Sequence, residues 1–173
     1  NKLGDDFSAN RVFVPEMLIA ARCMSAATEL LKPHMVGEGG ESATVGSAVI
    51  GTVRGDMHDI GKNLVKIMME GSGIAVYDLG TDVSAEQFIE TAVEHDCGII
   101  ACSSLLTTTM NEMRRVVSLA QEKGIRKKVR ILIGGAPISQ SFCDEIGADV
   151  YTEDAGAAAR AALEILKTCQ NGK

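Results

Sequence analysis

One stretch gathers the residue types best suited to chemistry: Gly55-Asp56-Met57-His58-Asp59-Ile60-Gly61-Lys62-Asn63. A histidine can bind a metal through one ring nitrogen while donating its other N–H to a carboxylate, which fixes the tautomer and raises the basicity of the ligating nitrogen. Asp56, two residues before His58, is the nearest candidate for that carboxylate. Gly61 would permit close approach of backbone at the start of a helix. The plainer alternative is a helix N-terminus capped by Asp56 or Asp59 with a solvated histidine beside it. Asp-x-His-x-x-Gly alone does not separate the two, because so short a motif matches by chance.

The elements that must position His58 favour a ligand site. Ala48 to Val53 reads as a buried strand and Asn63 to Met69 as a helix, so His58 falls on a strand-to-helix loop. Strand and helix then alternate to the end of the chain. Strands are expected at Ile74–Leu79, Gly98–Cys102, Val129–Ile133 and Ala148–Tyr151. Helices are expected from Ala85 to His95 behind a Ser84 cap, Thr109 to Lys123, Ser139 to Ile146 and Ala155 to Thr168. Short apolar strands alternating with helices predict an α/β fold, a flavodoxin-like or Rossmann-like five-stranded parallel sheet in order 2-1-3-4-5. His95, in the last turn of its helix, reads as a favourable charge at a helix C-terminus.

That strand order brings distant loops together. The switch point lies between strands one and three, so the His58 loop faces Ser103-Ser104-Leu105-Leu106-Thr107-Thr108-Thr109, and Gly134-Gly135 joins the same rim. One helix cap needs one hydroxyl, which leaves others free to bond a polar ligand. The glycine pair reads either as a tight turn or as a place where a ligand approaches the backbone, and the second reading is preferred beside the other two loops.

Composition sets limits on function. A net charge of −6, with no basic stretch stronger than Arg126-Lys127-Lys128, argues against nucleic acid as a partner. No apolar run approaches the roughly 20 residues of a membrane helix, so a cytoplasmic protein is expected, with no membrane partner. The 5 cysteines are scattered without a Cys-x-x-Cys pair and read as small core residues rather than a disulfide framework or zinc site.

Upstream, Phe13-Val14-Pro15-Glu16 resembles a helix start, and apolar residues from Met17 to Leu31 recur at helical period. One such helix cannot bury its stripe alone. The expected organisation is a partial helical cap over 1–32, a glycine-rich linker over 33–47 that holds a solvated His34, and an α/β domain over 48–173.

Asp56-x-His58-x-x-Gly61, Ser103-x-Leu105 and Gly134-Gly135, at these separations, resemble the three-part signature of cobalamin-binding domains that take the corrinoid base-off with histidine as lower ligand. Within that superfamily the chain is similar to the cobalamin region of methionine synthase and to small corrinoid proteins of methyltransferase systems. Gly55 to Asn63 is nearly that group's version of the loop, with Gly55, Met57 and Asp59 beside the ligand pair. Gly4-Asp5-Asp6-Phe7 and Phe13-Val14-Pro15-Glu16 resemble the group's helical cap, which this chain is expected to enter part-way.

The resemblance implies cobalamin, as methylcobalamin or a related corrinoid, with His58 as the lower ligand of cobalt and Asp56 as the acceptor behind it. Thr109 aligns where methionine synthase extends the pair with a serine. Ser103 and Thr107 would contact the nucleotide tail, Gly134 and Gly135 would line its slot, and Ala155 would touch it again. Phe7 and Val14 match positions that shield the methyl group, or are ordinary packing. The implied function is a methyl carrier, a non-catalytic corrinoid subunit served by one methyltransferase that loads it, a second that accepts the methyl group, and a reductive activase. Rival readings are a cobalamin sensor or storage module, the cobalamin subunit of an adenosylcobalamin mutase, and a cofactor-free signalling domain on the same fold.

Overall fold

The computed structural model describes residues 3, 6, 9, 11–17, 19–20, 23, 26–27 and 44–170. Five strands, β1 (Ser47–Thr52), β2 (Ala75–Asp78), β3 (Ile99–Ser103), β4 (Arg130–Gly134) and β5 (Val150–Tyr151), alternate with five helices. These are α1 (Ile60–Glu70), α2 (Ala85–Glu94), α3 (Met110–Glu122), α4 (Gln140–Ile146) and α5 (Ala155–Gln170). The sheet is wholly parallel in the order β2-β1-β3-β4-β5, as the strand and helix pattern predicts.

Alternation along each strand divides the core. Val49, Ile100, Cys102, Ile131 and Ile133 face one side, where Phe88 of α2 and Met113 of α3 meet them. Ala48, Ile50, Ile99, Ala101 and Leu132 face the other, under α1 and α5. Sheets covered on both faces are apolar throughout, which is why the strands read as continuous apolar runs. Met17 of the N-terminal region is buried in the α1 and α5 cluster, with Leu3 and Val12 packed against it.

Element limits differ from expectation chiefly at α1, which begins at Ile60 rather than Asn63. The polar residues there resemble a loop, but Lys62 is buried by ion pairing, a contact with no signature in hydropathy. Ser84 caps α2 through a complete capping box with Gln87. His95 follows α2 as its C-cap and stacks flat on Tyr77, ring centroids 3.9 Å apart, so its place is a packing contact against an edge strand. Cys97, Cys102 and Cys143 are buried as expected, whereas Cys23 is exposed, a correction to its assignment as a core residue. Phe7, His34 and most of the expected linker lie outside the described residues.

Candidate functional site

The carboxyl ends of β1, β3 and β4 bring the three loops to one rim. The β1 loop is fixed at both ends. The Thr52 hydroxyl donates to the His58 carbonyl at 2.7 Å, and the Gly55 N–H donates to Asp82 at 2.7 Å. Gly55 adopts φ +81°, a left-handed conformation that favours glycine. The Asp56 side chain then turns back on its own loop, accepting the His58 N–H at 3.1 Å and the His58 ring Nδ1–H at 2.7 Å, both through Oδ1.

Oδ2 of Asp56 reaches across the rim. It accepts the backbone N–H groups of Leu105 at 2.7 Å and Leu106 at 3.2 Å, and the Thr109 hydroxyl at 3.1 Å. The Ser104 hydroxyl lies 2.8 Å from that of Thr109 and extends the chain by one member. Asp56 is fully buried. Burial alone would raise its pKa, but the Leu105 N–H, the His58 ring and the other donors outweigh it and hold the carboxyl well below the usual carboxylate range.

An ionised carboxylate can only accept, so Nδ1 carries the proton, and in the neutral ring Nε2 keeps its lone pair. The His58 side chain is 52% exposed, and Nε2 has no hydrogen-bond partner among the described residues. The capping alternative does not hold. Asp56 is committed elsewhere, and Asp59, the N-cap of α1, makes no side-chain cap bond.

Beside His58 a cleft of about 450 Å³ opens between α1, α5 and the sheet. Gly61, Ser103, Gly134, Gly135 and Ala155 all line it. A Cβ at Gly61 would meet no protein atom within 4 Å and would project into open space. Gly135 differs. At φ +134° its Cβ would collide with the Ser104 carbonyl, so the protein's own packing of the β4 loop on the β3 loop already requires glycine there. Thr107 is exposed on its loop and is not among the residues lining the cleft. Thr109, the N-cap residue of α3, makes no side-chain cap bond, because its hydroxyl serves Asp56.

Around His58 the loops leave apolar side chains in the open: Met57 is 69% exposed, Ile60 75%, Leu105 43% and Leu106 39%. Phe13 and Val14 are also exposed, at 64% and 37%. The sequence reading missed Lys62, whose buried ammonium bonds Asp78 at 2.6 Å and Asn63 at 2.7 Å and whose residue lines the cleft. Strand order 2-1-3 places the end of β2 beside the His58 loop, and that was the available signal. Thr152, Glu153 and Asp154, just before Ala155, also line the cleft.

A family model of the B12 binding domain matches residues 46–164, spanning all five strands and the larger part of α5. The chain belongs to the B12-binding domain family. Its relatives include dimethylamine corrinoid protein 3 of Methanosarcina mazei, 43% identical over 166 residues that cover 96% of this chain and 99% of the relative. Among solved structures, a chain of the methanol:cobalamin methyltransferase complex of Methanosarcina barkeri is 30% identical with a TM-score of 0.84 over 94% of this chain and 61% of that one. The monomethylamine corrinoid protein of the same organism is 36% identical, with a TM-score of 0.67 over 94% of this chain and 76% of that one. A B12-binding domain takes a corrinoid cofactor, and the residues present fit one: an imidazole with an outward lone pair, a carboxylate locked behind it, and open space at Gly61 above an adjoining cleft. No helix among the described residues is long and apolar enough to cross a membrane.

Proposed function

We propose that the chain is a corrinoid methyl carrier, holding cobalamin base-off and passing a methyl group between methyltransferase partners. The observation that carries the reading is the 2.7 Å contact from His58 Nδ1 to a buried, fully bonded Asp56, which leaves Nε2 without a hydrogen-bond partner among the described residues. His58 would then hold the cobalt of a bound corrinoid through Nε2. Asp56 holds the ring and its proton, and Thr109 and Ser104 hold Asp56. Bound cobalamin supplies a cobalt atom able to accept, carry and release a methyl group.

The remaining residues bind and orient. Met57, Ile60, Leu105 and Leu106 offer an apolar platform under the corrin, which explains their exposure. Ser103 stands at the mouth of the cleft for the nucleotide tail, Gly134 and Gly135 line the slot, and Ala155 borders it. Thr107, exposed and outside the cleft, would meet the tail only beyond the cleft's mouth. Val14 belongs with residues 1–32 to a cap joined through 33–47 to the cofactor domain at 48–173. Partners are a methyltransferase that loads the corrinoid, a second that accepts the methyl group, and a reductive activase. Buried free thiols at Cys97, Cys102 and Cys143 suit the cytoplasm.

The test is methyl transfer. Protein reconstituted with methylcobalamin, mixed with a corrinoid:thiol methyltransferase and a thiol acceptor, should lose its methylcobalamin absorbance as methylated thiol accumulates. Stable methylcobalamin under these conditions, against a known corrinoid protein that turns over, would favour a sensor or storage role instead.

A further inference from the structure

The cleft beside His58 is polar at its mouth and apolar at its floor, a division set by the register of the sheet. Ser103 and Gly134 are Cα partners at the mouth. Two residues back along the strands, on the same face, Ile50, Ala101 and Leu132 line up across β1, β3 and β4. Leu64 from α1 and Ala158 from α5 close over that row. Small side chains at Ala101 and Ala158 make the depth. Cys102, Ile133 and Tyr151 reach the cleft through their backbone, because their side chains pack on the opposite face.

Polar side chains at the cleft stay at its mouth. Ser103 ends β3, Thr152, Glu153 and Asp154 follow β5, and Lys62 lies in the first turn of α1, bonded to Asp78 and Asn63. Among the described residues no buried side-chain nitrogen or oxygen lacks a hydrogen-bond partner. The floor therefore presents no unmet side-chain donor or acceptor to a ligand.

We propose that this cleft selects among cobamides by the polarity of the lower base, taking benzimidazole and phenolic bases and discriminating against purines. The inference rests on the reading that the nucleotide tail occupies the cleft. In a cobamide the phosphate and ribose come first from the corrin and the base comes last, so sugar and phosphate meet the polar mouth and the base meets the floor. An adenine ring brings an exocyclic amine and several ring nitrogens, each of which loses water on burial and finds no partner. Unmet buried polar groups discriminate far more sharply than a methyl group gained or lost.

Wild-type protein without cofactor, titrated calorimetrically with p-cresolyl cobamide, adeninyl cobamide, cobalamin and tail-free cobinamide, tests this. Cresol cannot bind cobalt and adenine binds it weakly, so their comparison isolates the floor. Expected is p-cresolyl cobamide at least about tenfold tighter than the adeninyl form, with cobalamin also tighter than the adeninyl form and cobinamide weaker than p-cresolyl cobamide. Adeninyl cobamide equal to or tighter than p-cresolyl cobamide, with both tighter than cobinamide, overturns the selection and leaves the tail in the cleft. Cobinamide matching p-cresolyl cobamide overturns the placement of the tail, and the selection with it.

Discussion

The Thr109 hydroxyl donates to Asp56 Oδ2 at 3.1 Å across 53 residues of sequence, on the carboxylate oxygen that His58 does not use. Thr109 thus joins the β3 loop to the group that orients the metal-binding ring. Thr109→Val keeps the shape but removes one donor from a buried carboxylate and one partner from Ser104, at a cost of about 1–2 kcal/mol. Thr109→Ser keeps the hydroxyl and should lie near wild type. Urea unfolding followed by far-UV circular dichroism, the natural probe in a chain with no tryptophan, separates them. Equal losses in both variants would remove the hydroxyl from the network.

Acid should destabilise the cofactor-free protein through Asp56 and Asp78. Both carboxyls have lowered folded-state pKa values, Asp56 through its N–H donors and His58, and Asp78 through Lys62, the Gly80 N–H and Lys66, in each case against the opposing effect of burial. A lowered folded value means stability that is present above the ordinary value of 3.8 and lost as pH falls below it toward the folded value. Unfolding free energy should therefore fall steeply below about pH 4, and less steeply in Asp56→Asn. A variant slope equal to wild type would exclude Asp56 as a source.

Two glycines should respond in opposite ways. Gly135→Ala forces a Cβ into the Ser104 carbonyl at a positive φ and should cost the cofactor-free protein about 3 kcal/mol or more. Gly61→Ala meets nothing and lies in the first turn of α1, so it should leave stability unchanged or raise it by about 0.5 kcal/mol. The same methyl group occupies ligand space and should weaken cobalamin binding. A stable Gly61→Ala protein that binds cobalamin as tightly as wild type would show that the cofactor stays away from α1.

Lys62→Met removes the buried half of an ion pair. Asp78 keeps Lys66 at 3.2 Å, so the loss should be about 2 kcal/mol, below the ~3–5 kcal/mol expected when a buried charge is left with no partner. Adding Lys66→Met should then cost more than Lys66→Met alone costs in wild type, which a double-mutant cycle in urea measures. Simple additivity would mean that the two lysines do not share Asp78.

The sheet order was legible because every strand is a short apolar run between turn residues, and parallel topology then leaves few alternatives. His58 and Asp56 were legible as a pair because they are two residues apart. Their support was harder to see. Ser104 lies among five hydroxyl residues, and only the fold shows that Ser104 and Thr109 turn inward while Thr107 and Thr108 stay exposed. Gly134-Gly135 was legible as a special place, yet Gly135 is explained by contact with Ser104 before any ligand is considered. Lys62 was hidden because a buried lysine reads as a surface residue until its partner on another strand is known. The start of α1 was misplaced for the same reason.

The ligand assignment is tested most directly by electron paramagnetic resonance of the Co(II) cobalamin-loaded protein, made once with ordinary histidine and once with histidine labelled with nitrogen-15 throughout the ring. With His58 Nε2 on cobalt, the triplet splitting from the axial nitrogen becomes a doublet in the labelled protein. A triplet that survives the label would mean that the cofactor's own benzimidazole still holds the metal.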